Sequence, residues 1–282
     1  MAWRFMMGKH ARQDGAEPAR IVSRKGDTGM TASDGAHEGA GGALDVLFRD
    51  ERFVAVNKPP GLLVHRSRID RGADRFALQT VRDQVGRRVF PVHRLDKPTS
   101  GVLLFALDPE AARRLSDAFA RRAVRKTYLA VVRGYLAPGG VIDYALRETR
   151  DRTTDGKARR DKPPQPAVTV YRRLATVETP HAVGRYPTSR YALAVLRPRT
   201  GRKHQIRRHM KHIFHPVIGD RKYGDRRHNR FFEEHLGCRR MLLHAAALAF
   251  THPFTGAPTV VLAPLDAAFR DVLERLGWGG LL

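Results

Sequence analysis

The nine residues His93-Arg94-Leu95-Asp96-Lys97-Pro98-Thr99-Ser100-Gly101 crowd charges and turn formers against the apolar run 102–107. Proline forces the residue before it out of helical dihedrals, and glycine permits a tight turn. Asp96 is therefore expected on a stiff loop, the kind of place where catalytic groups sit. An ionised carboxylate there can act as a nucleophile or stabilise a developing positive charge electrostatically. An aspartate beside Lys-Pro is also an ordinary turn residue, so the chemical reading needs partners elsewhere in the chain.

Arg207 is a candidate partner, although an arginine on such a helix can equally bind a phosphate or cap a neighbouring strand. Between 204 and 214, Ile206, Met210 and Ile213 recur at helical intervals, and Arg207 shares a stripe with Met210 and Phe214 that points it inward. An inward arginine needs a carboxylate, and a buried carboxylate tends to take up a proton unless a cation sits beside it. Arg208 and Lys211 face elsewhere on that helix and are candidate phosphate contacts. Tyr128 falls on an expected strand, where it can pack in the core or offer its ring to a base. Arg94, two residues before Asp96, puts a second charge on the same loop. His204, His209, His212 and His215 raise the question of zinc. One helix presents only two of them on one side, and no acid lies between Arg202 and Asp220, so no metal is expected.

The chain that must carry these groups has 282 residues and a hydrophobic fraction of 42%, ordinary for a globular core. Its formal charge of +24, from 52 Lys and Arg against 28 Asp and Glu, points to a polyanion as partner, nucleic acid first. Cys238 is the single cysteine, which excludes an internal disulfide and a multi-cysteine zinc site and suits a reducing cytoplasm. No run approaches the roughly 18 apolar residues of a membrane span.

Residues 1–43 carry six basic and five acidic side chains with no sustained hydrophobic period and are expected to be a disordered extension. The scattered acids argue against an organelle transit peptide. Because this stretch is nearly neutral, the positive charge belongs to 44–282, expected to be one domain. There, 44–48 and 53–57 read as a hairpin. Asp108-Pro109-Glu110 reads as a helix start, followed by Ala112, Leu115 and Phe119 at helical spacing. The runs 127–132, 168–171, 191–196 and 241–250 read as strands, and 147–166 as a long basic surface loop. Strands with few helices suggest an α+β domain.

HRLD followed by TSG, then RKTYLAVVRG and TGRKHQIRRHM, together resemble the RluA-type pseudouridine synthases. The form HRLDKPTSGVLLFAL, with GRYPTSRY at 184–191 and the ending GWGGLL, is most similar to the members that act on tRNA. The resemblance runs from about residue 44 to 282 and implies a mixed, mainly antiparallel sheet flanked by helices around a central basic cleft. By motif it makes Asp96 the catalytic aspartate, Arg94 the arginine that helps extrude the uridine, Tyr128 the active-site tyrosine and Arg207 the ion-pair partner of Asp96. It implies a cytoplasmic isomerase, acting as a monomer without cofactor or metal on a structured RNA, with uridine 65 of certain tRNAs as the target. Whether Asp96 attacks C1′ or first takes the C2′ proton stays open. A ribosomal RNA synthase of the same family and a non-catalytic basic RNA-binding protein are the alternatives.

Overall fold

A computed structural model describes residues 20–22, 42–65, 75–148 and 163–281. Its strands form one 11-stranded sheet, as the α+β reading requires. In chain order the first elements are β1 (Arg20–Val22), β2 (Val46–Arg49), β3 (Phe53–Lys58), α1 (Ala77–Val85), β4 (Phe90–Pro91) and β5 (Ser100–Ala106). Then come α2 (Pro109–Ala120), β6 (Arg125–Arg133), β7 (Gly139–Asp143), β8 (Val168–Thr179) and β9 (Ser189–Pro198). The chain closes with α3 (Gln205–His212), α4 (Arg226–Leu236), β10 (Leu243–Thr251), β11 (Pro258–Leu262) and α5 (Ala267–Arg275). The sheet runs β2-β3-β5-β10-β6-β9-β8-β7, with β4 on β5 and β1 and β11 branching from β10. Pairing is antiparallel except at β10–β5 and β1–β11.

All seven residues of β5 are buried, because helices cover both faces of this central strand. Leu103 and Phe105 pack with Ala77 and Val81 of α1, while Val102, Leu104 and Ala106 pack with Ala111 and Leu115 of α2. The same alternation divides β6 and β9. Leu129, Val131, Leu193 and Val195 meet Phe231 and Phe232 of α4 and Phe269 of α5. Ala130, Val132, Ala192 and Ala194 face the other way, where their short side chains leave room for Ile206 and Met210 of α3.

Asp108 caps α2 as expected, its carboxylate accepting from the Ala111 N–H at 2.8 Å. Two local expectations need correction. Phe214 does not extend the inward stripe of α3: the helix ends at His212, and Phe214 lies beyond it at φ 64 and 80% exposed. Gly101 is not in a tight turn. It sits inside β5 at φ 109, where a Cβ would come within 2.2 Å of the Ala245 carbonyl on β10. Only glycine lets those two parallel strands approach so closely. The loop expected over 147–166 falls mostly on 149–162, outside the described residues. Its flanks are pinned by two backbone hydrogen bonds between Leu146 and Gln165. The 1–43 stretch is likewise outside the description but for Gly42, Ala43 and the three residues of β1, which pair with Thr259, Val260 and Val261.

Candidate active site

The site sits at one end of four adjacent strands. The Asp96 turn leads into β5, Tyr128 lies near the start of β6 opposite both Ala245 of β10 and Leu196 of β9, and α3 follows β9. Register thus brings residues from distant parts of the chain to one place.

The turn itself is closed by the Thr99 N–H donating to the Asp96 carbonyl at 3.0 Å. It is clamped from below by Lys58, fully buried at the end of β3. Its ammonium donates to the carbonyls of Pro59 at 2.9 Å, Leu62 at 2.8 Å and Lys97 at 3.1 Å. Burial pushes the Lys58 pKa down to about 7, against the pull of the Asp96 charge. Lys58→Met removes all three donors and is expected to cost about 2–4 kcal/mol, since a charged hydrogen bond contributes roughly 1.5–3 kcal/mol and the site can partly relax. Urea unfolding measures this; an unchanged midpoint would show that the clamp holds nothing.

Asp96 and Arg207 do meet. Arg207, 6% exposed, donates from Nη1 to Asp96 Oδ2 at 3.0 Å. Its other edge is held by Asp220, which accepts from Nε at 2.7 Å and Nη2 at 2.9 Å in a two-pronged pair. Asp220, 1% exposed, also accepts from the N–H groups of Lys222 and Tyr223. Burial would raise its carboxyl, but those bonds and the Arg207 charge hold it below the usual range. Burial would lower the Arg207 guanidinium, but its hydrogen bonds to Asp220 and the charges of Asp220 and Asp96 hold it raised. Gly219, just before Asp220, sits at φ 78 and passes so near the Arg240 carbonyl that a Cβ would come within 2.0 Å.

Asp96 and Arg207 line a cleft of about 520 Å³ with Tyr128, Arg94 and the loop 199–204, while Asp220 stays behind it. That loop is tied down by Gln205, whose carbonyl accepts from Thr200 at 2.6 Å and from the Arg202 N–H at 3.0 Å. Burial first, then the Asp96 charge, raise the Tyr128 phenol, so it stays protonated at neutral pH. Arg94 is exposed at the rim. Among the described residues the charged lining is Arg94, Arg122, Lys126, Arg199, Arg202, Lys203 and Arg207, with Asp96 as its single acid.

Sequence reasoning passed over Lys58, Asp220 and Tyr223, and considered His204 only as a metal ligand. Its ring lies 2.9 Å from the Tyr223 hydroxyl and 3.8 Å from Asp96. The other three histidines have separate partners: His209 meets Thr169 and the Tyr144 carbonyl, His212 stacks on Tyr144, and His215 meets the Arg133 carbonyl. Among the described residues no three His, Cys, Asp or Glu side chains are grouped to hold a metal.

The RNA pseudouridylate synthase family pattern matches residues 52–212, a span that contains Asp96, Tyr128 and Arg207. The chain belongs to the RNA pseudouridylate synthase family. Relatives include proteins named tRNA pseudouridine synthase C. The one from Salmonella typhi is 56% identical over 239 residues, 85% of this chain and 92% of its own. The one from Yersinia pestis is 52% identical over 238 residues, 84% of this chain and 93% of its own. Among solved structures, human RNA pseudouridylate synthase domain containing 4 superposes with a TM-score of 0.62 at 27% identity, covering 83% of this chain and 93% of that one. The pseudouridylate synthase fold accounts for the sheet; the geometry around Asp96 must account for the chemistry.

Proposed function

We propose that this protein converts a uridine in tRNA to pseudouridine, with Asp96 as the attacking group. The observation that carries the reading is a carboxylate held by a buried arginine as the single acid, among the described residues, in a cleft of basic side chains. Relatives named for tRNA supply the substrate class. The resemblance noted above gives uridine 65 as the target and 44–282 as the catalytic domain.

A uridine in a stem hides its C1′, so it must first leave the stack, at a cost of a few kcal/mol. Arg94, at the rim, fills the gap, while the cleft cations hold the phosphates on either side. Asp96 then meets the ribose as the N1–C1′ bond breaks, and Arg207 keeps the carboxylate oriented. The detached uracil turns against the Tyr128 ring, C5 bonds to C1′ as C1′ leaves the Asp96 carboxylate, C5 gives its proton to solvent, and N1 takes one up. Nothing is oxidised and no atom is added, so the reaction asks for no metal, nucleotide or redox cofactor. Every group invoked comes from one chain, consistent with a monomer. Among the described residues no helix is long and apolar enough to cross a membrane, and the one cysteine is a free, buried thiol; both fit a cytoplasmic enzyme.

Arg208 and Lys211 do not line the cleft, whereas the exposed Arg199 does. Arg199→Ala is therefore expected to flatten the slope of log affinity against log salt by about 0.7 to 0.9, the loss of one phosphate contact. Lys211→Ala should leave that slope unchanged. Equal slopes for Arg199→Ala and the unaltered protein would remove this cleft as the RNA path. The substrate is tested by carbodiimide mapping of pseudouridines in RNA from cells with and without the gene. A single tRNA site should vanish; loss of a ribosomal RNA site alone would contradict the tRNA assignment.

A further inference from the structure

His204 caps α3 from the left-handed backbone region, φ 56 and ψ 27, yet its side chain makes no capping hydrogen bond. That conformation is disfavoured for any residue with a Cβ, and it persists where surrounding contacts dictate the placement of the side chain. Here the ring is 12% exposed, wedged between Tyr223 and Asp96. Nδ1 is 2.9 Å from the Tyr223 hydroxyl. Nε2 is 3.8 Å from Asp96 Oδ1, beyond hydrogen-bond distance, and lines the cleft that a ribose must enter.

The two neutral forms of the ring are not equivalent in this setting. With the proton on Nδ1, the Nε2 lone pair would point at the Asp96 carboxylate. With the proton on Nε2, the N–H points there instead, and the Tyr223 hydroxyl donates to Nδ1. Electrostatics favour the second form, fixed by the partner of the other nitrogen. The ring is also uncharged near neutral pH: burial pushes its pKa down to about 4, Asp96 opposes this, and Arg207, Lys222 and Lys203 add to it.

We propose that His204 donates a hydrogen bond from Nε2 to an oxygen of the departing uracil, holding the charge that appears as the N1–C1′ bond breaks. The inference rests on the uridine isomerisation proposed above. The electron pair of the broken bond leaves with the base and spreads over N1, O2 and O4, while C1′ is taken by the Asp96 carboxylate. No proton passes to or from His204. A fixed donor beside the developing anion lowers the barrier because it needs no reorganisation during the reaction. It also anchors the free base while it turns.

The test measures kcat and KM of the full-length protein on a tRNA transcript for His204→Ala, His204→Gln and Tyr223→Phe, alongside Asp96→Asn. A glutamine keeps an amide N–H near the Nε2 position but cannot relay a proton. His204→Ala is expected to lower kcat about 100-fold, the usual loss of one such donor, with KM within about threefold. His204→Gln should recover roughly a tenth or more of the original kcat, and Tyr223→Phe should lose about tenfold because Nδ1 loses its donor. A merely structural histidine would shift the unfolding midpoint without this split between kcat and KM or this rescue. The inference is overturned if His204→Ala keeps kcat within about threefold, or if His204→Gln is no better than His204→Ala. Should His204→Ala fail to fold, an unchanged kcat in Tyr223→Phe overturns it. An active Asp96→Asn, or an inactive unaltered protein, would instead refute the proposed function and this inference with it.

Discussion

Arg207→Met is expected to destabilise the protein by about 3–5 kcal/mol and to lower kcat at least about 100-fold, two losses with different causes. Arg207 is 6% exposed and Asp220 1% exposed, so the substitution strands a carboxylate in the interior with the backbone N–H groups of Lys222 and Tyr223 but no guanidinium. The stability loss comes mainly from that stranded charge, and the activity loss from the freed Asp96. Adding Asp220→Asn separates them. The double variant should regain about 2 kcal/mol or more, because an uncharged amide no longer needs a counter-ion, yet stay inactive.

The sign of the pH dependence follows from the same pair. In the intact protein the Asp220 carboxyl is held low, so its contribution to stability is present above its unfolded value and is lost as pH falls through the folded one. In Arg207→Met the unpaired carboxyl is raised by burial, and acid relieves it. The stability gap between the two proteins should therefore narrow as pH drops from 7 toward 4. Urea midpoints at both pH values measure this; a gap that widens in acid would mean that Asp220 is not the stranded charge.

What the sequence made legible follows periodicity and contiguous motif. The strands containing Tyr128, Val170 and Ala194, the cap at Asp108 and the inward face of Arg207 were all readable because each depends on neighbours within one element. The ion pair between Asp96 and Arg207 was reachable only through the motif resemblance, since 111 positions separate the partners and only the strand order brings them together. Asp220 and Lys58 were overlooked for a related reason. A buried charge cannot be told from a surface one by type, and in a chain of 52 basic residues one more lysine carries no signal. Two cues were available nevertheless. Asp220 is an isolated acid in a basic stretch, and it follows a glycine that takes up the left-handed backbone region. Helix α4 went unread in the sequence, although Asp225 accepts from the Arg227 N–H at its start and Gly237 ends it. Its two buried phenylalanines sit side by side rather than at helical spacing, which hid the period.

Asp96 itself bears the largest expected effect. The asparagine variant keeps the size and most contacts of the side chain, so the Lys58 clamp and the Thr99 turn should hold it in place. What it loses is the negative charge that meets C1′, and among the described residues no other acid lines the cleft to replace it. RNA affinity rests on many phosphate contacts and should stay within a few fold. Turnover should fall by about 10⁴-fold or more, the scale seen when a covalent catalyst is removed as a unit.

Tritium release from tRNA labelled at uridine C5 reads this step directly, because C5 gives up its hydrogen only when it bonds to the ribose. The intact protein, in EDTA and without nucleotide, should release the label from one uridine per tRNA, and Asp96→Asn should bind the same tRNA and release none. Release by Asp96→Asn at a rate near that of the intact protein would contradict the assignment of the chemistry to this carboxylate.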